Sequence, residues 1–433
     1  MSKQIDRRKL IKLGAATGLA IGTGRVGFAE DKKKPFRMAV VGTGNRGRYL
    51  LSLALRDKNV EVPALCDIRE PNLKQAQDIV AEARGKQPEG YLKGPKDYLR
   101  MLNRDDLDAI IIGTGMQLHA PVAIAAMKAG KHVLSEVSGA ITVDECWGLV
   151  RTVQETGKIY MLSENCSYWP EVMMVQNMVD RGVFGELTYA ECGYVHDCRF
   201  LMFTPDGNLT WRGEMGRDWP GNNYPTHSLG PVADWFGVNR GDRLVSLVTS
   251  ATGGNPALMD YIDKHLPKDC PARKIKFKAN DSSTTLIKTA NGGLIDLRFD
   301  IHSPRPTAGP YYALQGVKAS YDSTLGEMVW IEGRTKGHKW EPIANYKKEF
   351  EHPLWTKLID KARGTGHGGG DFFVIHQFIE AVEKGVSPID VYDSATWSSI
   401  MELSARSLAE GSSVVEIPDF TEGKWKIRKR RTV

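Results

Sequence analysis

The sequence predicts an α/β protein in which a doubly wound parallel sheet is followed by an α+β domain with a large, mostly antiparallel open sheet. An apolar strand that starts at Phe36 runs into a Gly-x-Gly-x-x-Gly turn and a helix. Strand-like and helix-like segments then alternate up to residue 165, which indicates parallel pairing. After Tyr168 the segments become long, alternating or β-branched, and glycine-rich turns separate them. A chain of 433 residues suits two domains.

The first 29 residues combine paired arginines with a short apolar stretch. Arg7 and Arg8 precede the weakly apolar residues 13–20, and small residues occupy positions 27 and 29. The pattern is typical of a twin-arginine signal peptide, so we expect cleavage after Ala29 and a periplasmic location. The alternative is a basic, disordered N-terminus. The next cysteine is Cys66, so no lipoprotein membrane anchor is expected.

The charge balance gives no support for a nucleic-acid partner. The formal charge is +6, but residues 1–29 hold six basic residues and one acidic residue, which leaves about +1 on the rest. The basic tail, residues 421–433, is expected to be a solvated end. The sequence contains no run of 18 or more apolar residues, so no membrane-spanning helix is predicted.

Six cysteines occur without CxxC or metal-finger spacing. We expect most of them to be free and buried. No His/Asp/Glu grouping has metal-ligand spacing either, so no metal is expected.

Residues 36–165 are predicted to form a Rossmann-type NAD-binding domain. Gly42 allows the tight turn, Gly44 lets the backbone approach a pyrophosphate, and Gly47 lets the helix pack on the strand. The helix, predicted over residues 48–56, directs its first amide groups at the phosphate.

An acidic residue follows the second strand of this domain. The strand is predicted over residues 60–65, and Asp67 lies 20 residues after Gly47. A carboxylate there can accept a hydrogen bond from a ribose hydroxyl and repels a 2′-phosphate. NAD is therefore favoured over NADP, although Arg69 nearby leaves NADP open.

The next elements predict where the ligand crevice lies. Strands are expected over residues 107–114 and 130–136, with a helix over residues 119–127 between them. Ligands of doubly wound sheets bind beyond the carboxyl ends of the strands. The crevice is expected to be lined by Met116, Gln117, Leu118, His119, Glu136, Val137 and Asn165.

Residues 166–420 are predicted to form the second domain. Its strands are expected over residues 187–191, 283–288 and 293–300. Helices over residues 372–384 and 394–409 are expected to return to the first domain.

Residues 221–231 contain the sequence Tyr-Pro-Thr-His. Pro225 stiffens the link between Tyr224 and His227, which stand three residues apart. Two titratable groups held side by side can transfer protons on a sugar. The alternative is a turn that contains a core histidine.

Further segments occur in the order of a known family. They are residues 163–168, 223–227, 229–231, 284–287, 303–306, 366–371, 390–393, 397–399 and 418–420. The order of the elements resembles the glucose–fructose oxidoreductase/inositol dehydrogenase (Gfo/Idh/MocA) superfamily. Within it, the segments are similar to those of glycoside hydrolase family 109, the NAD-dependent α-N-acetylgalactosaminidase-like branch.

Two positions depart from the dehydrogenases of the superfamily. Those enzymes usually carry Glu-Lys-Pro where this chain has Glu136-Val137-Ser138, and Asp where it has Asn223. In them the lysine helps deprotonate the alcohol, and the Asp supports a histidine that corresponds to His227. The alternative function, a periplasmic NAD(P)-dependent sugar oxidoreductase, is therefore disfavoured.

The resemblance implies an exported glycosidase that acts on α-N-acetylgalactosaminides or related hexosides. The sugar is transiently oxidised at C3, which acidifies its C2 proton; the C1 aglycone then leaves by elimination, water adds, and C3 is reduced again. NAD is the cofactor and is not consumed. The resemblance also implies a homo-oligomer formed through the sheet faces.

Residue roles also follow from the resemblance. Tyr168 is the candidate base at C2, His227 with Tyr224 serves the C3 oxygen, and Glu136 orients the nicotinamide ribose or relays protons. The cofactor contacts are expected to be Gly42, Gly44, Asn45, Arg46, Gly47, Asp67, Met116, Gln117, Leu118, His119, Glu136, Val137 and Asn165. The substrate contacts are expected to be Tyr194, Arg212, Tyr224, Pro225, Thr226 and His227.

Each role has a structural alternative. Tyr168 can simply stack in the core, Tyr224 can bind sugar without chemistry, and Glu136 can be a cofactor contact only. Arg212 can form a surface salt bridge instead of clamping the substrate.

Three positions depart from the family itself. Relatives usually carry Gly in place of Ser228, Met in place of Gly370 and an aromatic residue in place of Thr307. Because the loop at Thr307 contacts sugar in such relatives, the sugar, the anomer and the aglycone stay open. His367, in the glycine-rich stretch, is a candidate lid residue.

Overall fold

The computed structural model of the protein describes residues 34–306 and 309–430. The expected signal peptide at residues 1–29 and the departure at Thr307 lie outside the described residues and stay predictions. The part of the chain from Pro35 onward forms one compact unit.

The first sheet has six parallel strands in the order β3-β2-β1-β4-β5-β6. Its strands are β1 (Phe36–Val41), β2 (Val60–Cys66), β3 (Glu89–Tyr91), β4 (Ala109–Ile112), β5 (His132–Ser135) and β6 (Tyr160–Leu162). Its helices are α1 (Asn45–Ala54), α2 (Glu70–Arg84), α3 (Asp97–Leu102), α4 (His119–Lys128) and α5 (Val143–Thr156). The strand order reverses direction between β1 and β4, and ligands of such sheets bind at this switch point. The predicted parallel sheet is confirmed.

Element ends differ from the predicted ones by a few residues, as element boundaries commonly do. The largest shift is at β7, which ends at Val195, four residues after the predicted end. The helix α1 begins at Asn45, three residues before the predicted start. Asn45 and Arg46 therefore belong to the first turn of the helix, where the amide groups are free to bind an anion.

The second sheet has nine strands in the order β14-β13-β12-β11-β7-β10-β9-β8-β15. Among the described strands of this second sheet, only β7 and β10 pair in parallel, and the other neighbouring strands pair antiparallel. The strands are β7 (Leu187–Val195), β8 (Leu244–Ala251), β9 (Ser283–Thr289), β10 (Leu294–Asp300), β11 (Pro310–Gly316), β12 (Ala319–Asp322), β13 (Met328–Ile331), β14 (Glu341–Pro342) and β15 (Val415–Glu416). The mostly antiparallel sheet is confirmed.

The helices of the second half of the chain are α6 (Pro170–Asp180), α7 (Trp211–Asp218), α8 (Thr226–Phe236), α9 (Pro256–His265), α10 (Lys347–Phe350), α11 (Pro353–Ala362), α12 (Gly370–Lys384) and α13 (Val391–Ala409). Of these, α8 packs on β7 and β11, and α13 packs on β8. Along β9 the buried residues alternate with half-exposed or exposed ones, because one face packs on helices and the other does not.

The last two long helices return to the parallel sheet, as predicted. α12 packs on α1, and α13 packs on α5 and β6. Small serines line the buried side of α13: Ser394 shares a hydrogen bond with Tyr160, and Ser398 accepts one from the amide of Gly139. Small side chains let the backbones approach closely, so the two halves share a core.

The basic cluster near the C-terminus was expected to be solvated; its described members Lys424, Lys426, Lys429 and Arg430 are exposed, whereas Arg428 is half-buried. Arg428 forms an ion pair with Asp390, the N-cap of α13. Arg430 donates a hydrogen bond to the carbonyl of Trp235 at 2.6 Å. Arg428 is held in place because the N-terminus of α13 carries two carboxylates, the half-buried Asp390 and the fully buried Asp393, which need cations nearby.

All six cysteines are free and buried, as expected. None of the described helices is both long and apolar enough to cross a bilayer.

Candidate active site

The glycine turn after β1 has the shape that a dinucleotide needs. Gly42 has φ +84°, and a Cβ there would lie 2.6 Å from the carbonyl carbon of Gly113. A Cβ on Gly47 would lie 1.9 Å from the carbonyl oxygen of Gly42. Gly44, in contrast, faces open space with no heavy atom within 4 Å. Two glycines are thus required by packing, and the middle one leaves room for a pyrophosphate, so the turn fits NAD.

Asp67 lies directly after β2 and braces this turn. Its Oδ2 accepts hydrogen bonds from the Thr43 amide at 2.7 Å and from the Thr43 hydroxyl at 3.0 Å. Its Oδ1 accepts one from the Arg69 amide at 2.8 Å. The carboxylate is therefore held beside the turn, where the prediction places a ribose.

Arg46 joins the cofactor turn to the second half of the chain. Its Nε donates to Glu136 at 2.9 Å, and its Nη2 donates to Asp371 at 2.8 Å. Asn165 also donates to Asp371, at 2.8 Å, and Ser163 donates to Glu136 at 2.8 Å. The remaining Arg46 nitrogen, Nη1, is buried without a hydrogen-bond partner among the described residues, so a donor is available for a bound ligand.

Asp371 was not among the predicted site residues. Burial alone raises the pKa of the Asp371 carboxyl, but hydrogen bonds from His367 and Arg46 outweigh burial and hold that pKa well below its usual range. In return, the hydrogen bond to Asp371, at 2.7 Å from Nδ1, raises the pKa of His367. A sequence signal existed, because both residues stand in the glycine-rich stretch that carries the family resemblance.

The departure at Gly370 has a steric reason. A Cβ on Gly370 would lie 2.3 Å from the carbonyl oxygen of Asn165. The glycine-rich stretch therefore approaches the loop after β6 more closely than a larger residue would allow.

The other predicted cofactor contacts differ in burial and in hydrogen bonding. His119 is buried between two backbone carbonyls, with Nδ1 2.8 Å from that of Ser138 and Nε2 3.1 Å from that of Thr114. Burial lowers the pKa of His119. Both partners are acceptors and a neutral imidazole has one N–H, so His119 braces the backbone by donating to one of these two carbonyls. Gln117 bonds Glu214 at 3.2 Å, and Leu118 is exposed.

Three aromatic rings meet on the substrate side of the crevice. The ring centroids of Tyr194 and Tyr224 are 5.3 Å apart, and His227 lies 5.6 Å and 5.1 Å from them. The guanidinium carbon of Arg212 is 4.9 Å from the Tyr224 ring centroid. Burial raises the pKa of Tyr224 to about 12, although the Arg212 charge opposes this. The structure thus brings four of the predicted substrate residues together.

The remaining predicted residues are more deeply buried. Thr226 begins α8 and has no exposed surface, while Pro225 precedes the helix. Tyr168 is fully buried, and its ring stacks on Phe373 with centroids 6.1 Å apart. These contacts agree with core packing of Tyr168, and its role as the C2 base stays a prediction.

His227 has a carboxylate partner that the sequence did not reveal. Its Nδ1 lies 2.7 Å from Oε1 of Glu164, which has no exposed surface. Glu164 also stands next to Asn165, so two consecutive residues after β6 reach the substrate histidine and the Arg46 network. Asn165 was predicted to line the crevice, whereas Glu164 was not; its position after a strand and inside the segment 163–168 were the signals that could have indicated it.

One group of described residues could offer metal ligands. Glu164, Cys166 and His227 each place one ligand atom within 4.8 Å of the others. Two of these atoms, Glu164 Oε1 and His227 Nδ1, are 2.7 Å apart in a hydrogen bond. We therefore interpret the group as a hydrogen-bonded carboxylate–histidine pair beside a cysteine. The expectation of no metal stays a prediction.

Comparison with known proteins identifies two family models along the chain. The model described as "Glycosyl hydrolase 109, C-terminal domain" matches residues 168–427. The model "Oxidoreductase family, NAD-binding Rossmann fold" matches residues 36–164.

Several curated proteins are similar over most of their length. A glycosyl hydrolase family 109 protein of Stenotrophomonas maltophilia (strain K279a) is 40% identical over 91% of this chain and 90% of that protein. An α-N-acetylgalactosaminidase of Tannerella forsythia is 35% identical over 92% of this chain and 90% of that protein. A protein of the same name from Bacteroides fragilis (strain ATCC 25285) is 36% identical over 93% and 95%.

Solved structures share the fold. Levoglucosan dehydrogenase in complex with NADH has a TM-score of 0.68 at 18% identity, covering 89% of this chain and 99% of that chain. At this identity the likeness concerns the fold alone.

Proposed function

The chain belongs to glycosyl hydrolase family 109 and binds NAD, and from this premise we propose that it hydrolyses α-N-acetylgalactosaminides or related hexosides after export from the cytoplasm. The sugar is suggested by the relatives named α-N-acetylgalactosaminidase.

One observation carries the proposal. Glu164 contacts His227 of the aromatic cluster, and the next residue, Asn165, contacts the Arg46–Asp371 network beside the glycine turn. A group able to move protons on a sugar is therefore linked through adjacent residues to the cofactor turn. The proposed reaction needs this juxtaposition, because oxidation at a sugar carbon requires loss of a proton next to the hydride acceptor.

When bound, NAD supplies a hydride acceptor that is regenerated within each turnover. In the proposed reaction His227 takes the proton from the C3 hydroxyl and later returns it. Tyr224 keeps its proton at neutral pH, because burial raises its pKa to about 12, so it donates a hydrogen bond to the C3 oxygen and is not the base. The Arg212 charge beside it favours the enolate oxygen that forms at C3 when C2 is deprotonated.

Val137 is the observation that separates this reaction from simple dehydrogenation. It occupies the position where the dehydrogenases carry lysine, and it is buried with 2% of its surface exposed. No cation can be supplied from that position. Asn223 no longer argues against a dehydrogenase, because Glu164 supplies the carboxylate partner of His227.

A p-nitrophenyl glycoside assay tests the function. Purified protein, without added NAD, is expected to release nitrophenol from p-nitrophenyl α-N-acetylgalactosaminide with no net NADH. Reaction in deuterium oxide is expected to place deuterium at C2 of the product. Stoichiometric NADH formation with free sugars would refute the proposal, and turnover without deuterium at C2 would refute the elimination step.

Export is tested separately. The full chain is expected in the periplasmic fraction of a twin-arginine-competent host. Replacing Arg7 and Arg8 by Lys should retain it in the cytoplasm, and unchanged fractionation would refute this route.

A further inference from the structure

The Glu164 carboxylate is buried in a way that needs explanation. It has no exposed surface, and its Oε2 has no hydrogen-bond partner among the described residues. Its Oε1 accepts from the Cys166 amide at 3.1 Å and contacts His227 Nδ1 at 2.7 Å. A buried carboxylate is costly unless it is paired and hydrogen-bonded. The Cys166 amide could be served by a neutral acceptor, so the short turn alone does not account for a carboxylate.

The surroundings of His227 leave Glu164 as its only acidic neighbour among the described contacts. Five groups contact or adjoin the histidine: Glu164 after β6, Cys166 in the following turn, Tyr194 on β7, Tyr224 before α8, and Tyr312 on β11, whose hydroxyl donates to the His227 carbonyl at 2.6 Å. The three tyrosines are neutral phenols near neutral pH, since burial raises the pKa of each of them. Burial likewise raises the pKa of the Cys166 thiol.

We propose that Glu164 is a positioning residue for His227, and this rests on the proposed function. Because Glu164 accepts a hydrogen bond from Nδ1, the neutral His227 ring keeps its proton on Nδ1. The lone pair on Nε2 is then available to the substrate. When Nε2 takes the proton of the sugar C3 hydroxyl, the O–H bond breaks, an N–H bond forms, and the carboxylate stabilises the resulting imidazolium. A buried carboxylate plays this part for the histidine of hydrolytic triads.

The same contact links the two halves of the molecule. Glu164 follows the last strand of the parallel sheet, whereas His227 lies in the first turn of α8 beside the second sheet. The usual dehydrogenase arrangement places the carboxylate four residues before the histidine, where this chain has Asn223. Here the histidine is oriented only when the two halves are packed together.

Glu164→Gln and Glu164→Asp test the proposal, with Glu327→Gln as the matched control. Glu327 is a half-buried carboxylate that accepts a hydrogen bond from Tyr321 in the second sheet, outside the site. For Glu164→Gln we expect kcat to fall by about 10²–10⁴-fold, as when the carboxylate of a triad is replaced by its amide, with KM changed less than about threefold. Glu164→Asp should recover at least about tenfold of that loss, because it keeps the charge. The control should match the wild type.

Two readouts separate positioning from a structural role. The acid limb of the pH–rate profile should move to lower pH in Glu164→Gln, because the amide does not stabilise imidazolium. In holoenzyme labelled with ¹⁵N-histidine, the neutral His227 ring of the wild type should carry its proton on Nδ1, and a proton found on Nε2 instead would refute the assigned orientation.

The outcomes are distinct. If the wild type releases no aglycone, the proposed function fails, while the tautomer measurement still tests Glu164. If the wild type is active but Glu164→Gln matches it, or shows an unchanged pH profile, the positioning role is refuted. Loss of bound NAD or of the folded signal in both Glu164 variants, with normal Glu327→Gln, would also refute it in favour of a structural role.

Discussion

Replacing Asp371 by Asn should destabilise the protein and weaken its hold on NAD. The carboxylate is fully buried and accepts from Arg46 and Asn165 at 2.8 Å and from His367 at 2.7 Å. Removing one partner of a buried ion pair costs about 3–5 kcal/mol. The amide keeps one acceptor oxygen, and Arg46 keeps its bond to Glu136. We therefore expect a loss near the lower end, about 3 kcal/mol of unfolding free energy.

Urea unfolding at neutral pH measures this change as a lower midpoint at an unchanged m-value. Bound NAD is quantified after gel filtration, because Arg46 loses one of the two carboxylates that orient it. Asp218→Asn is the control, since Asp218 pairs with Arg217 at the surface and should change stability by less than about 0.5 kcal/mol.

The effect should also depend on pH. Since the folded pKa of Asp371 lies below its ordinary value of about 3.9, its stabilisation is fully present above that value. It is lost as the pH falls through the lower folded pKa. The difference between wild type and Asp371→Asn should thus be largest between about pH 4 and the raised pKa of His367, above which His367 loses its charge, and it should shrink in stronger acid. A difference below about 1 kcal/mol at neutral pH would refute the network as a stabilising element.

Three other sets of substitutions test separate parts of the site. Gly47→Ala should lose about 1–3 kcal/mol of stability, because its Cβ would lie 1.9 Å from a carbonyl oxygen. Gly44→Ala should keep its stability in thermal melts of NAD-free protein but bind less NAD, and equal melting of the two NAD-free variants would contradict this. Tyr224→Phe keeps the ring contacts, so kcat should fall by about 10²-fold or more with NAD retained; unchanged turnover would leave Tyr224 a binding residue only. Asp67→Ser removes the charge that repels a 2′-phosphate, so fluorescence titration should show a smaller preference for NAD over NADP; an unchanged preference would contradict that role.

The nucleotide half was predictable because its signals are local. The glycine spacing, the apolar strands and the acidic residue after β2 each depend on a few adjacent residues, and all of them appear where expected. The alternating strands of the second sheet were predictable for the same reason, since one buried face imposes a period of two. The parallel β7–β10 pair was not predictable, because nothing local distinguishes its partner strand.

The site was predictable in its parts but not in its connections. The Tyr-Pro-Thr-His segment identified Tyr224 and His227, the family resemblance added Arg212, and the structure brings them together. It did not identify Glu164 or Asp371, which lie 63 residues from His227 and 325 residues from Arg46 along the chain. The position of a carboxylate in the sequence does not indicate which side chain it will contact in the folded protein.

By itself, the sequence determined the cofactor turn, the two kinds of sheet and, through family resemblance, the class of reaction. Only the tertiary structure decided which carboxylate contacts His227 and which one completes the Arg46 network. It also decided which basic residue of the tail forms an ion pair with the N-terminus of α13. The physical reason is that strand and turn patterns are set by adjacent residues. The pairing of buried charges depends instead on which side chains the packing of the two halves removes from water together.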